Sequence, residues 1–257
     1  MALRIVEMPS PNFDPRAPGS RIDILVLHYT GMKTADEALR RLCDPQAKVS
    51  SHYTIDRDGT IYRHVPEELR ARHAGVSWWA GVRDVNSHSI GIELVNPGHE
   101  FGYIPFAQDQ IAALIDLCRG IFARHRIAPA RVVGHSDVAP DRKEDPGELF
   151  PWQRLAEFGI GVWPPTASRA ASAAERSDSV SSPVYGGGGS ALAAASDETE
   201  GGSFAAKLSR FGYGTPPDVD WPLEKTIAAF QRHFRPACIN GIADAECAAL
   251  LEGLLAA

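Results

Sequence analysis

Within "IDILVLH", residues 22–28, Ile24 to Leu27 make a continuous apolar run closed by a histidine, the pattern of a strand buried on both faces. "SIGIELVN" at 89–96 and the shorter "RVVGH" at 131–135 predict two further strands. Strand side chains alternate, so Glu93 points to the opposite face from Ile90, Ile92 and Leu94. In "HYTIDRDGTIYRHV", 52–65, Asp58-Gly59 separates two β-prone runs and predicts a hairpin. Elsewhere the period is helical. "TADEALRRLCD" opens with Thr34 and Glu37 in capping-box spacing and turns Ala38, Leu39 and Leu42 inward. Residues 107–125 place Ile111, Leu114, Ile115, Cys118 and Phe122 on one face, with Pro129 just beyond. Helices interspersed with strands give an α/β fold with a mixed central β-sheet flanked by helices.

This patterning stops at 166–203, a stretch rich in Ala, Ser and Gly with almost no large apolar residues. Such a segment buries too little surface to offset its chain entropy and reads as a flexible linker. Beyond it, Leu223, Ile227, Phe230 and Phe234 line one helix with Asp220 as its N-cap, and Ala248, Leu251 and Leu255 line another. With the shorter "SFAAKLSRFGYG" these make a small C-terminal three-helix domain. The expected organisation is a domain over 1–165, a linker over 166–203 and a helical domain over 204–257.

Composition narrows the function classes. A formal charge of −6 offers no general attraction to nucleic acid, which is excluded as a partner. No apolar run approaches the roughly 20 residues of a membrane span. Residues 1–30 lack the basic start and apolar core of a secretory leader, and the four cysteines form no CxxC pair. Together these point to a cytoplasmic protein with reduced thiols; removal of a leader would make the periplasm or cell envelope the alternative.

The candidate chemistry lies in "VVGHSDVAPDRKEDPG", 132–147. His28 and His135 each follow an apolar run, and two imidazoles with one carboxylate form a Zn2+ site that keeps a position open for catalysis. Spacing alone leaves Asp137, Asp141, Glu144 and Asp145 equally eligible as the third ligand.

"LVLHYTGM", "SSHYTIDRDGTIYRHV", "RHAGVSWW", "SIGIELVN" and "VVGHSDVAPDRKEDPG", in that order, resemble the type 2 N-acetylmuramoyl-L-alanine amidases. That zinc family also includes the peptidoglycan recognition proteins. The resemblance covers residues 10–163 and implies His28, His135 and Asp145 as zinc ligands, Glu93 as the catalytic carboxylate and Lys143 as the lysine facing the reacting carbonyl. It implies hydrolysis of the amide joining N-acetylmuramic acid, or its 1,6-anhydro form, to L-alanine of the stem peptide. Zinc lowers the pKa of water toward neutrality, Glu93 takes the proton, and Lys143 with the metal stabilises the oxyanion.

Tyr29, Tyr53, His73, Trp78, Trp79 and Asn96 are candidate substrate-groove residues, while His52 and His64 on the hairpin are read as structural. The tail, especially "AFQRHFRP" and "NGIADAECAALL", resembles a helical peptidoglycan-binding domain. Peptidoglycan or muropeptide fragments are thus the expected partners; the oligomeric state is not legible. A non-catalytic peptidoglycan receptor and a zinc peptidase cutting within the stem are the alternatives, and product masses separate them.

Overall fold

The computed structural model describes residues 4–165 and 203–257. All of the expected linker except Ser203 falls outside those residues. In chain order the strands are β1 (Ile5–Glu7), β2 (Phe13–Pro15), β3 (Ile24–Tyr29), β4 (Tyr53–Ile55), β5 (Ile61–Arg63), β6 (Leu69–Ala71), β7 (Ser89–Leu94) and β8 (Val132–Gly134). The helices are α1 (Ala35–Cys43), α2 (Val85–His88), α3 (Gly98–Phe101), α4 (Gln108–Arg124), α5 (His135–Val138), α6 (Trp152–Ala156), α7 (Phe204–Phe211), α8 (Leu223–Phe234) and α9 (Ala245–Ala256).

Six strands form one mixed sheet in the order β1-β5-β4-β7-β3-β8, and β2 pairs with β6 separately. Only β4 and β5, the expected hairpin, run antiparallel within the large sheet. Its turn closes through the Asp56 amide on the Thr60 carbonyl at 2.8 Å, with Gly59 at φ +83°. A positive φ suits glycine because no Cβ meets the following carbonyl.

The two faces of the sheet bury different partners. Leu25, Leu27, Ile90, Ile92 and Leu94 pack against Ile111, Leu114, Cys118 and Ile121 of α4. The opposite face presents Ile24, Val26 and Val133, which join Leu208, Tyr213, Ile227, Phe230 and Leu251 from the C-terminal helices. Alternation along β3 therefore feeds two cores, and the C-terminal helices form the cover of the second.

Several local expectations are refined. The Thr34 hydroxyl caps α1 by accepting the Glu37 amide at 3.2 Å. His135 does not end a strand but opens the short helix α5 directly after β8. Asp220 does not cap α8; Pro222 holds that position without a side-chain hydrogen bond, its fixed φ preparing the first turn. In α9 the buried residues are Cys247, Leu250, Leu251 and Leu254; of the expected Ala248–Leu251–Leu255 stripe, Leu251 is buried and Leu255 packs partly buried against the same core. Asp244 caps that helix by accepting the Cys247 amide at 3.0 Å. The three-residue strands β1, β2 and β6 carry too few positions to register as a period.

Candidate active site

Strand register assembles the site. Along β3 and β7 the parallel pairing sets His28 opposite Glu93, and along β3 and β8 it sets Leu27 opposite Gly134. His135 follows Gly134 immediately, so Glu93, His28 and His135 stand in a row at the carboxyl ends of three neighbouring parallel strands. Side chains and ligands gather at that end of open α/β sheets. The loop after α5 then returns Asp145 to the same place, where the Ser136 amide donates to the Asp145 carbonyl at 2.8 Å.

The three ligand candidates meet closely. His28 Nδ1 lies 3.0 Å from His135 Nδ1 and 3.0 Å from Asp145 Oδ2, and His135 Nδ1 lies 3.1 Å from that same oxygen. All three residues are buried. Protons on the far sides of the rings have their own destinations. His135 Nε2 donates to the Ala74 carbonyl at 3.1 Å. His28 Nε2 meets His73 Nδ1 at 3.1 Å, and His73 Nε2 meets the Ser89 hydroxyl at 3.1 Å. With the protons so placed, two nitrogen lone pairs and a carboxylate oxygen converge on one point, an arrangement that calls for a cation. Burial and the neighbouring His135 push His28 down to about 4, keeping it a neutral donor. Burial alone would raise Asp145, but His135 and His28 hold it well below the usual carboxylate range. These donors fit zinc, whose nitrogen and oxygen ligands are neutral imidazole and ionised carboxylate.

Glu93 differs in kind. Its Oε2 is closed to solvent and has no hydrogen-bond partner among the described residues. Burial, then the charge of Asp145, push the carboxyl well above its ordinary range, against the pull of Lys143. A carboxylate so placed is a stronger base than an exposed one.

A cleft of about 450 Å³ opens over this row. Of the expected site residues, Tyr29, His73, Glu93, His135, Lys143 and Asp145 line it. Tyr53, Trp78, Trp79 and Asn96 lie elsewhere. Tyr53 donates to Glu67 Oε1 at 2.7 Å on the far side of the sheet. Asn96 is fully buried, donating to the Ile104 carbonyl at 2.7 Å and accepting from the Gly98 amide at 3.1 Å. Trp79 packs edge-on against Tyr213, centroids 4.9 Å apart, and Trp78 carries Arg83 over its ring at 4.7 Å. His52 and His64 are held in the interior, His52 by the Gly91 amide and His64 by the Met8 carbonyl.

Other lining residues escaped sequence reading. His99 and Glu100 lie on α3, shortly after the Glu93 strand, and Arg142 precedes Lys143. The place of His99 and Glu100 a few residues past the carboxyl end of a strand, on α3, was the available signal. Arg142 Nη2 donates to the Ala74 carbonyl at 2.7 Å and the Val76 carbonyl at 2.5 Å, tying the ligand loop to the segment that carries His73.

Gly91 makes room for His73. A Cβ at Gly91 would meet the His73 ring at 2.4 Å. Gly91→Ala is expected to displace that ring from His28 and to destabilise the protein by about 1–3 kcal/mol, the usual cost of overpacking. Urea unfolding measures this, and parent-like stability would show that the ring yields freely.

The profile of the N-acetylmuramoyl-L-alanine amidase family matches residues 18–148, a span holding every residue of the row. The chain belongs to the N-acetylmuramoyl-L-alanine amidase family. It is an amidase by the same likeness, at 41% identity to N-acetylmuramoyl-L-alanine amidase AmiD of Escherichia coli, over 98% of this chain and 90% of that one. The 1,6-anhydro-N-acetylmuramyl-L-alanine amidase AmpD of Haemophilus influenzae is 34% identical over 58% of this chain and 88% of its own. Among solved structures, the E. coli AmiD complex with anhydro-N-acetylmuramic acid-L-Ala-D-gamma-Glu-L-Lys superposes with a TM-score of 0.73 at 38% identity, covering 94% of this chain and 92% of that one. The complex of AMPDH3 from Pseudomonas aeruginosa with anhydromuramic pentapeptide gives 0.73 at 33% identity, covering 92% of each chain. No helix of the amidase among the described residues is long and apolar enough to cross a membrane.

Proposed function

We propose that this amidase uses a zinc ion held by His28, His135 and Asp145 to release the stem peptide from anhydro-muropeptides as well as from larger peptidoglycan fragments. The convergence of those three ligand atoms, together with a Glu93 Oε2 that has no hydrogen-bond partner among the described residues, carries the reading. The substrate form is supported by the AmiD and AMPDH3 complexes, both of which hold anhydromuramyl peptides. When bound, zinc supplies Lewis-acid chemistry, acidifying water and polarising a carbonyl.

The chain's own residues do the rest. Glu93 Oε2 takes the proton of the attacking water and returns it to the nitrogen of L-alanine as the carbon–nitrogen bond breaks. The Lys143 ammonium faces the former carbonyl oxygen and offsets its growing negative charge. His73 fixes the tautomer of His28 through the 3.1 Å contact, a relation that orients metal-binding imidazoles generally. Tyr29 and His73 border the cleft in which the sugar and peptide would lie.

The same reading divides the chain into an amidase domain over 1–165 and a helical domain over 204–257, joined by 166–203. The AmpD relative is matched over only 58% of this chain, a share that supports a division of the chain into two parts.

Mass spectrometry after incubation with a defined 1,6-anhydro-muropeptide and, in parallel, intact peptidoglycan tests this reading. Free peptide beginning at L-alanine is expected from both, with about one zinc per chain and loss of activity on chelation. Full activity in metal-free protein would sink the metal assignment, and cuts inside the peptide would sink the bond assignment.

A further inference from the structure

The loop that carries His135, Lys143 and Asp145 has its back to the C-terminal helices, and the contacts there are polar and buried. Asp137 lies two residues past His135 on α5 and is 1% exposed. Within its own turn its Oδ2 accepts the Gly134 amide at 2.7 Å. The remaining donors come from across the chain. The Tyr213 hydroxyl donates to Asp137 Oδ1 at 2.7 Å, and His233 Nδ1 donates to Oδ2 at 2.7 Å. Farther along the loop, Glu144 accepts Arg232 Nη2 at 3.2 Å. The His233 ring also stacks on Trp152 with centroids 3.8 Å apart. Consecutive residues of α8 thus grip the loop beside two of its ligand groups, Asp137 near His135 and Glu144 next to Asp145.

A carboxylate shut from water needs its oxygens filled, and each missing donor leaves a desolvation cost uncompensated. The amidase part gives Asp137 one donor, and the C-terminal part gives it two, from Tyr213 just after α7 and from His233 on α8. Asp137 in turn acts on a turn without slack. A Cβ at Gly134 would meet Pro146 Cδ at 2.7 Å, so the start of α5 and the Asp145–Pro146 segment rest directly on each other. Displacing Asp137 therefore moves the frame that spaces His135 from Asp145.

We propose that α8 together with Tyr213 is a positioning element of the active site. Arg232 and His233 hold the ligand loop in place, and the "QRHF" stretch of the tail serves this internal docking rather than contact with a wall polymer. With Tyr213 fully buried, His233 4% exposed and the Arg232 side chain 12% exposed, none of the three offers a surface to an external ligand. This inference rests on the reading of His28, His135 and Asp145 as metal ligands.

Tyr213→Phe and Arg232→Met in the full chain test it. Tyr213→Phe removes one hydroxyl and keeps the ring against Trp79. Both variants are expected to bind zinc about tenfold more weakly, read by competition with a chromophoric chelator, the low end of losses seen when outer partners of metal ligands are removed. On a soluble anhydro-muropeptide, whose turnover needs no wall anchoring, kcat should fall while KM stays within about twofold. Lys207→Ala, which breaks a 2.6 Å pair with Glu252 inside the helical part, should leave both quantities unchanged. In the unmutated protein, amides of 134–145 should exchange hydrogen together with those of α8, as one cooperative unit. Parent-like zinc affinity and kcat in both variants, or separate exchange of the two segments, would overturn the proposal. An unmutated protein that neither binds zinc nor turns over would instead overturn the metal-site reading.

Discussion

Glu93→Gln is expected to reduce turnover by about 100-fold to 10,000-fold while the protein still holds one zinc. The reason lies in the environment of Oε2, which is closed to solvent and has no hydrogen-bond partner among the described residues. An amide nitrogen or oxygen at that place fills the same volume but cannot take up and return a proton. Since His28, His135 and Asp145 form their contacts without Glu93, metal content should not change. The measurement pairs zinc analysis with steady-state kinetics on an anhydro-muropeptide. A variant retaining more than a tenth of parental kcat would remove Glu93 from the proton-transfer role, and a metal-free variant would recast it as a support for the ligands.

Lys143→Met should lower kcat by about 100-fold to 1000-fold, the loss that accompanies removal of one donor to a developing oxyanion. Methionine keeps much of the apolar stem and removes the ammonium. Lys143 lines the same cleft as Glu93 and Asp145, and in the proposed mechanism its charge acts on the growing oxyanion rather than on the distal peptide. The effect should therefore appear in kcat, with KM little changed. A variant whose KM rises while kcat stays at the parental value would assign Lys143 to ground-state binding of a substrate carboxylate.

These two residues were legible in the sequence for different reasons. Alternation set Glu93 on the face opposite Ile90, Ile92 and Leu94 without any knowledge of the fold, while its catalytic role came from resemblance. Lys143 and Asp145 came from resemblance; their loop offers several charged side chains with nothing in the spacing to separate them. The structure sorts the four carboxylates by direction. Asp145 turns to His28 and His135, Asp137 turns backward to Tyr213 and His233, Glu144 meets Arg232, and Asp141 stays exposed. A loop's backbone path fixes these directions, and that path depends on contacts such as Ser136 to Asp145 and Arg142 to Ala74.

The aromatic pair Trp78-Trp79 shows the same limit from the other side. Sequence marks two large rings in a loop, which suits a binding groove as well as a packing surface. Their use is decided by what covers them: Trp79 is 1% exposed beneath Phe211 and Tyr213, residues more than a hundred positions away.

By itself the sequence determined the strands and helices with strong periods, the α/β class, and the two histidines that close apolar runs, because these are properties of neighbouring residues and their burial pattern. Tertiary structure alone decided that His28 would stand beside both Glu93 and His135, and that the C-terminal helices would close the second face of the sheet. Register between strands and docking between distant segments are set by the fit of whole surfaces, which no local spacing encodes.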